Sequence, residues 1–280
     1  VTIYRRWKQK FNLAGSFTIP ARAFQVVSDD GVRIFGSELS GTGEKAYLVV
    51  HGLLAHHRAP GLREFAQSLT RFGPVWSIDL RGHGFSAGAS TLGRLEALDV
   101  AAAVKEIRRR SELPLVAVGF SMGAASVVRA AALYELVDAV VAISSPARWG
   151  GRRRWAALRT RLIWQIPGGT TVLRLATGVR IERPWRHSEH PSSIAGRIAP
   201  APLLVVHGTA DQFFPPEEAE DLFQSGNEPK ALWMIPGAGH ATGLYAPPDG
   251  GIDWERVDRF VTEIVERVDG LLKSSAKPNP

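Results

Sequence analysis

The chain has 280 residues, 45% of them hydrophobic, no cysteine and a formal net charge of +7. That is enough apolar mass for a sizeable core, and no run approaches the roughly 18 consecutive apolar residues of a membrane-spanning helix. Without cysteine there are no disulfides, thiolate metal ligands or thiol nucleophiles.

In chain order, residues 1–23 form a basic arm carrying Arg5, Arg6, Lys8 and Lys10. Pro20 and Arg22 break its apolar residues too often for an intact signal peptide. An opening at Val1 rather than Met fits a processed or trimmed chain, and the compartment stays open. "AFQVVSDDGVRIFGSEL" predicts two strands around the turn Asp29-Asp30-Gly31, and "AYLVVHG" and "PVWSIDL" predict buried strands. Between the latter two, "GLREFAQSLTRFG" predicts a helix. A long helical stretch over 92–110 leads to a strand over 115–118, then to an alanine-rich helix, and then to the strand "VDAVVAIS". After an interruption come "APLLVVHG", a helix starting near Pro215, and the strand "ALWMIPG". Val257, Phe260, Val261, Ile264, Val265, Val268 and Leu272 recur at three and four residues, which predicts a closing amphipathic helix. The tail 274–280 has the composition of a disordered end. Strands alternating with helices imply a mostly parallel sheet covered on both faces, with the ligand site at the carboxyl ends of its strands.

The interruption is compositionally distinct. Between Pro146 and Pro200 lie eleven arginines and two glutamates, a balance of 11 − 2 = +9, so the rest of the chain carries 7 − 9 = −2. Four of the eight tryptophans, Trp149, Trp155, Trp164 and Trp185, fall there too. These shifts divide the chain into the basic arm (1–23), a core (24–145 and 200–273), an Arg- and Trp-rich insertion (146–199) and the tail (274–280).

The chemistry centres on "VAVGFSMG". Ser121 stands between Gly119 and Gly123 where an apolar strand turns abruptly into a helix. Such a turn crowds the backbone, which is why a nucleophile elbow needs glycine two residues either side of its serine. Serine is also a favoured helix N-cap, so the five-residue pattern alone leaves both readings open. A serine hydroxyl needs a base and an orienting acid, and the later strand ends supply Asp211 after "VVHGTA" and His240 after "MIPGAG". Ser, Asp, His is the chain order expected on this architecture. The amide of Met122, at the helix start, is one expected oxyanion donor, and that of Leu53, just past the His-Gly pair of "VVHGLL", is the other. Among the other histidines, His51 and His207 are expected to pack into loops, His83 to shape the turn made by Gly82 and Gly84, and His187 and His190 to be solvated. His56 and His57 could line the pocket, with nothing selecting them.

Taken together, "VVHGLL", "DLRGHGFS", "GFSMG", "VVHGTAD" and "GAGH" resemble the α/β-hydrolase superfamily, closest to its monoacylglycerol-lipase-like and serine-aminopeptidase-like branch. The resemblance covers most of residues 24–272. It implies an α/β-hydrolase fold with a mostly parallel eight-stranded sheet and helices on both faces. It also implies no cofactor or metal, and an acyl-enzyme mechanism with Ser121 as nucleophile, His240 as base then acid, and Asp211 as orienter. The insertion occupies the place of a lid after the sixth strand.

Carboxylic-ester hydrolysis of a small-molecule substrate is the reading that asks least of such a site. Peptidase or aminopeptidase activity and peracid formation remain alternatives on the same triad. An aminopeptidase needs acids to hold a substrate amine, and the insertion has almost none. A noncatalytic, anionic-surface-binding protein on a hydrolase scaffold is the reading from another class. "RRRWAALRTRLIWQI" places Trp155, Leu158, Leu162 and Ile166 on one stripe beside Arg152, Arg153 and Arg154, which suits an anionic membrane better than nucleic acid.

Overall fold

The computed structural model describes residues 16–134, 137–150, 166, 168–182, 189–246 and 251–275. Most of the stripe expected on the insertion (Trp155, Leu158, Leu162, with Arg152, Arg153 and Arg154) and His187 therefore lie outside the described residues.

Eight strands form one sheet: β1 (Ala21–Val27), β2 (Arg33–Leu39), β3 (Ala46–Val50), β4 (Val75–Ile78), β5 (Leu115–Phe120), β6 (Ala139–Ile143), β7 (Leu203–Gly208) and β8 (Lys230–Ile235). Their spatial order is β1-β2-β4-β3-β5-β6-β7-β8. β2 pairs antiparallel with both of its neighbours, and the pairings from β4 to β8 are parallel. The helices among the described residues are α1 (Leu62–Leu69), α2 (Glu96–Arg110), α3 (Met122–Tyr134), α4 (Gly169–Thr177), α5 (Pro191–Ile194), α6 (Pro216–Ser225) and α7 (Trp254–Ser275). None of them is long and apolar enough to cross a membrane.

Alternation along the central strands splits the core into two layers. Leu48, Val50 and Ala117 face a layer with Val100, Val104 and Ile107 of α2, Val127 and Val128 of α3, and Leu222 of α6. Tyr47, Val49, Val116 and Val118 face the opposite layer, with Phe65 and Leu69 of α1 and Val257, Val261, Ile264 and Val268 of α7. Leu272, the last position of the expected α7 stripe, is only partly buried.

Two boundaries differ from expectation. β1 begins at Ala21, where full pairing with β2 carries the ladder through Arg22 despite its exposed side chain. The stretch expected to be helical from residue 92 becomes helix only at Glu96. The buried Glu96 carboxylate accepts from the amides of Thr91 (2.7 Å) and Gly93 (2.8 Å) and from the hydroxyls of Ser90 and Thr91. Those bonds hold residues 90–93 in a turn, with Leu92 at φ 57°. Those amides are committed to a side chain in a local turn rather than to a helical ladder, so the helix starts only after them.

Candidate active site

The carboxyl ends of β5, β6, β7 and β8 lie side by side, and each is followed by a site residue: Ser121, Ser144, Asp211 and His240. Ser121 sits at φ 54°, the left-handed region, between the end of β5 and the first turn of α3. Both glycines are needed there, against different neighbours. A Cβ on Gly119 would fall 2.5 Å from Ala124 Cα, in the helix leaving the elbow. One on Gly123 would fall 2.6 Å from the Val50 carbonyl oxygen and closer still to that of His51, at the end of β3. The first glycine lets strand and helix close on each other, and the second lets the helix dock on the adjacent strand.

From that elbow runs a hydrogen-bonded chain. The Ser121 hydroxyl lies 2.9 Å from His240 Nε2, and His240 Nδ1 lies 2.6 Å from Asp211 Oδ2. Asp211 is fully buried, and its other oxygen, Oδ1, accepts the amides of Phe213 (2.8 Å) and Phe214 (3.0 Å). Burial pushes the Asp211 carboxyl up, but the hydrogen bond and charge of His240 and the two amides outweigh it and hold the group below the ordinary carboxylate range. With the carboxylate ionised, Nδ1–H donates to it and Nε2 is left to accept from the serine. The Phe213 and Phe214 rings flank the imidazole at 4.7 and 5.5 Å.

The loop after β3 runs beside the elbow, close enough that a Cβ on Gly52 would lie 3.0 Å from Ser121 Cβ. Among the described residues, neither the Leu53 amide, next in this loop, nor that of Met122, first in α3, donates to an acceptor. The four orphan donors of a helix start account for Met122. Leu54, immediately after, is held at φ 64°. Among the described residues no group of three or more His, Cys, Asp and Glu is placed to hold a metal ion.

Several contributors carried no sequence signal. Ser144, buried at φ 50° just past β6, accepts the amide of Ala241 through its hydroxyl at 3.0 Å, and Ala241 is itself at φ 50°. This pins the residue directly after His240. Four non-glycine residues in the left-handed region, Ser121, Ser144 and Ala241 with Leu54 in the adjoining loop, are the kind of stored backbone strain that concentrates at functional sites. Of the histidines expected in loops, His51, His83 and His207 are fully buried. His51 accepts the Leu80 amide at Nε2 (3.0 Å) and so donates from Nδ1 to the Gly52 carbonyl (2.7 Å). His190 differs from expectation: it is half-buried, and its Nδ1 accepts the Trp149 amide at 3.0 Å. His57 is buried rather than open to a pocket.

A model of the alpha/beta hydrolase family matches residues 47–254. Among curated proteins, the chain is 25% identical over 252 residues to the uncharacterized protein YfhR of Escherichia coli O157:H7, covering 86% of this chain and 80% of that one. It is 26% identical over 231 residues to YfhR of Escherichia coli strain K12, covering 79% and 73%. Among solved structures it is similar to the Pyrococcus furiosus esterase Pf2001, with a TM-score of 0.67, 22% identity, and 92% and 93% of the two chains covered. It is also similar to the esterase RhEst1 from a Rhodococcus species, with a TM-score of 0.66, 18% identity and coverage of 89% and 99%. These likenesses concern the fold, and they do not single out the lipase-like or aminopeptidase-like branch. The family match runs from β3 to the start of α7 and takes in the elbow and both later strand ends, and by it the chain belongs to the alpha/beta hydrolase family.

Proposed function

We propose that this protein hydrolyses small carboxylic esters through a covalent acyl-enzyme on Ser121. The observation that carries the reading is the chain of hydrogen bonds from Ser121 through His240 to Asp211, 2.9 and 2.6 Å long, at the mouth of the elbow. His240 Nε2 takes the serine proton as Oγ attacks the ester carbonyl carbon, and Asp211 holds the ring in the tautomer that can do so. The carbonyl oxygen, now negative, is met by the amides of Leu53 and Met122. The imidazolium then returns the proton to the leaving alcohol. Water, deprotonated by the same nitrogen, attacks the acyl carbon and releases the acid and the free serine. Esters need no more than this.

An aminopeptidase would also need a carboxylate to hold a free amine. Of the two glutamates in the insertion, Glu182 is engaged with Arg94 at 3.1 Å, which leaves the ester reading the simpler one. Turnover of nitrophenyl esters from acetate to palmitate, set beside an aminoacyl nitroanilide, tests it. Ester turnover lost in Ser121→Ala is the expected result. Turnover retained in that variant, or confined to the aminoacyl substrate, overturns it.

A second reading concerns the insertion, which we take to cover the site as a lid and to approach an anionic interface. Ile166, Val172 and Leu175 are more than half exposed in a segment whose charge balance is +9. Apolar side chains flanked by arginine suit the boundary of an anionic bilayer.

A further inference from the structure

A second Ser-His-Asp chain joins β2 to the loops after β3 and β4, and it is closed to solvent. The Ser37 hydroxyl of β2 lies 3.0 Å from His57 Nε2, and His57 Nδ1–H donates to Asp79 Oδ1 at 2.8 Å. All three residues are at most 2% exposed, so no substrate reaches them. Arg58 Nε also donates to His57 Nε2 (3.0 Å), which leaves Nδ1 as the protonated nitrogen facing the carboxylate.

The value of this cluster lies in what Asp79 holds. Besides the His57 ring, Asp79 Oδ1 accepts the backbone amide of His57 (2.8 Å), and Oδ2 accepts that of Phe85 (2.9 Å). One buried carboxylate thus ties the loop after β3 to the loop after β4. Gly84 is required beside it, because a Cβ there would overlap the carboxylate. The same β3 loop is tied a second time at its start, where His51 spans from the Leu80 amide to the Gly52 carbonyl. Leu53 stands between the two anchors, on a stretch bent by Leu54 at φ 64° and closed by the Ala55 amide on the Gly52 carbonyl (3.3 Å).

We infer that His57 and Asp79 are positioning residues for the reaction, holding the β3 loop so that the Leu53 amide stays at the oxyanion position. The inference rests on the ester-hydrolase reading above. An oxyanion donor contributes only while its hydrogen stays within tenths of an ångström of where the negative oxygen forms. A loop carrying one non-glycine residue in the left-handed region relaxes from that setting when an anchor is removed.

The test uses the whole chain and four variants: His57→Leu, which removes the ring donor; His57→Asn, whose amide nitrogen takes the place of Nδ1 and keeps it; Asp79→Asn; and Ser37→Ala. Competent sites are counted with a fluorophosphonate. For each variant, kcat and KM per site are measured on nitrophenyl butyrate, with the preference for an ester over its thionoester and the urea midpoint. Sulfur accepts hydrogen bonds weakly, so that preference reports the oxyanion contact itself. His57→Leu is expected to lose about 10- to 100-fold in kcat, somewhat less than deletion of a whole oxyanion donor, with KM little changed and the ester preference reduced. His57→Asn should recover most of the loss, Asp79→Asn should fall between them because its oxygen still accepts from His57, and Ser37→Ala should resemble wild type. Wild-type kcat per site and unchanged ester preference in His57→Leu and Asp79→Asn, with only a lower midpoint, overturn the inference, as does failure of both to fold. Wild-type protein that neither reacts with the fluorophosphonate nor turns over ester overturns the ester-hydrolase reading instead.

Discussion

Asp211→Asn probes the site where its hydrogen bonding is most constrained. Oδ1 of Asp211 takes the Phe213 and Phe214 amides at 2.8 and 3.0 Å while Oδ2 faces His240 Nδ1 at 2.6 Å. An asparagine has two settings there. If its oxygen keeps the two amides, its NH2 faces Nδ1, which must then be the unprotonated nitrogen. The proton moves to Nε2, and the ring can no longer accept from Ser121. If the amide is turned, Nδ1–H regains an acceptor, but the NH2 group confronts two N–H donors, that of Phe214 buried and that of Phe213 partly buried. Each donor left unsatisfied costs about 1–3 kcal/mol, about 2–6 kcal/mol for the pair. The competent setting is therefore a minor population, and at about 1.4 kcal/mol per tenfold the loss in kcat runs from about 30-fold to about 10⁴-fold, its upper end matching the loss of about 10⁴ found when a triad aspartate becomes asparagine. The assay is kcat on nitrophenyl butyrate per titrated site, with urea unfolding alongside. The unfolding midpoint should fall only by what the ionised carboxylate contributes through its lowered pKa, since the first setting keeps both amides satisfied. Activity within threefold of wild type refutes the reasoning and moves the orienting role to another acid.

Gly123→Ala should cost about 1–3 kcal/mol, at the upper end because its Cβ meets the backbone carbonyls of Val50 and His51 rather than movable side chains; urea unfolding reads the loss, and unaltered stability and kcat would count against the close docking of α3 on β3. Stability should fall as the pH drops below about 6.5, because burial holds His51 down to about 3 and also lowers His83, so the unfolded chain binds protons that the native one refuses. At pH 4.5 the His51 contribution alone is about 2–3 kcal/mol, and the lowered Asp211 adds a loss in the same direction at more acid pH. Urea midpoints equal at pH 4.5 and 7 would show that His51 is not buried in its neutral form. For the insertion, replacing Arg152, Arg153 and Arg154 by glutamine should weaken sedimentation with phosphatidylglycerol vesicles at low salt, and added salt should mimic the change, since exposed charges are screened beyond about 10 Å at 0.1 M. Wild-type protein that ignores such vesicles rules out the anionic interface.

The sequence by itself determined those features that rest on local backbone demands. Gly119 and Gly123 mark a turn too crowded for a Cβ, and the structure meets that demand at Ala124 on one side and at His51 and Val50 on the other. The spacing of Val257, Phe260, Val261, Ile264, Val265 and Val268 marks one helical face, and all six are buried. Ser121, Asp211 and His240 could be gathered from sequence because each follows an apolar run, and parallel strands deliver such positions to a single edge. Tertiary structure alone decided the contacts that depend on sheet order. Ser37 and Asp79 meet His57 because β4 lies between β2 and β3, an arrangement no local pattern records. Ser144 reaches the Ala241 amide, 97 residues away, because only β7 separates β6 from β8 and the segments leaving both strands emerge at the same edge of the sheet. Glu96 delays α2 because its carboxylate turns back on residues 90–93, overriding helix propensities that differ by only tenths of a kcal/mol per residue. Periodicity and glycine placement are properties of the chain and its own backbone. The partner of a buried polar group is whichever distant segment the sheet brings beside it.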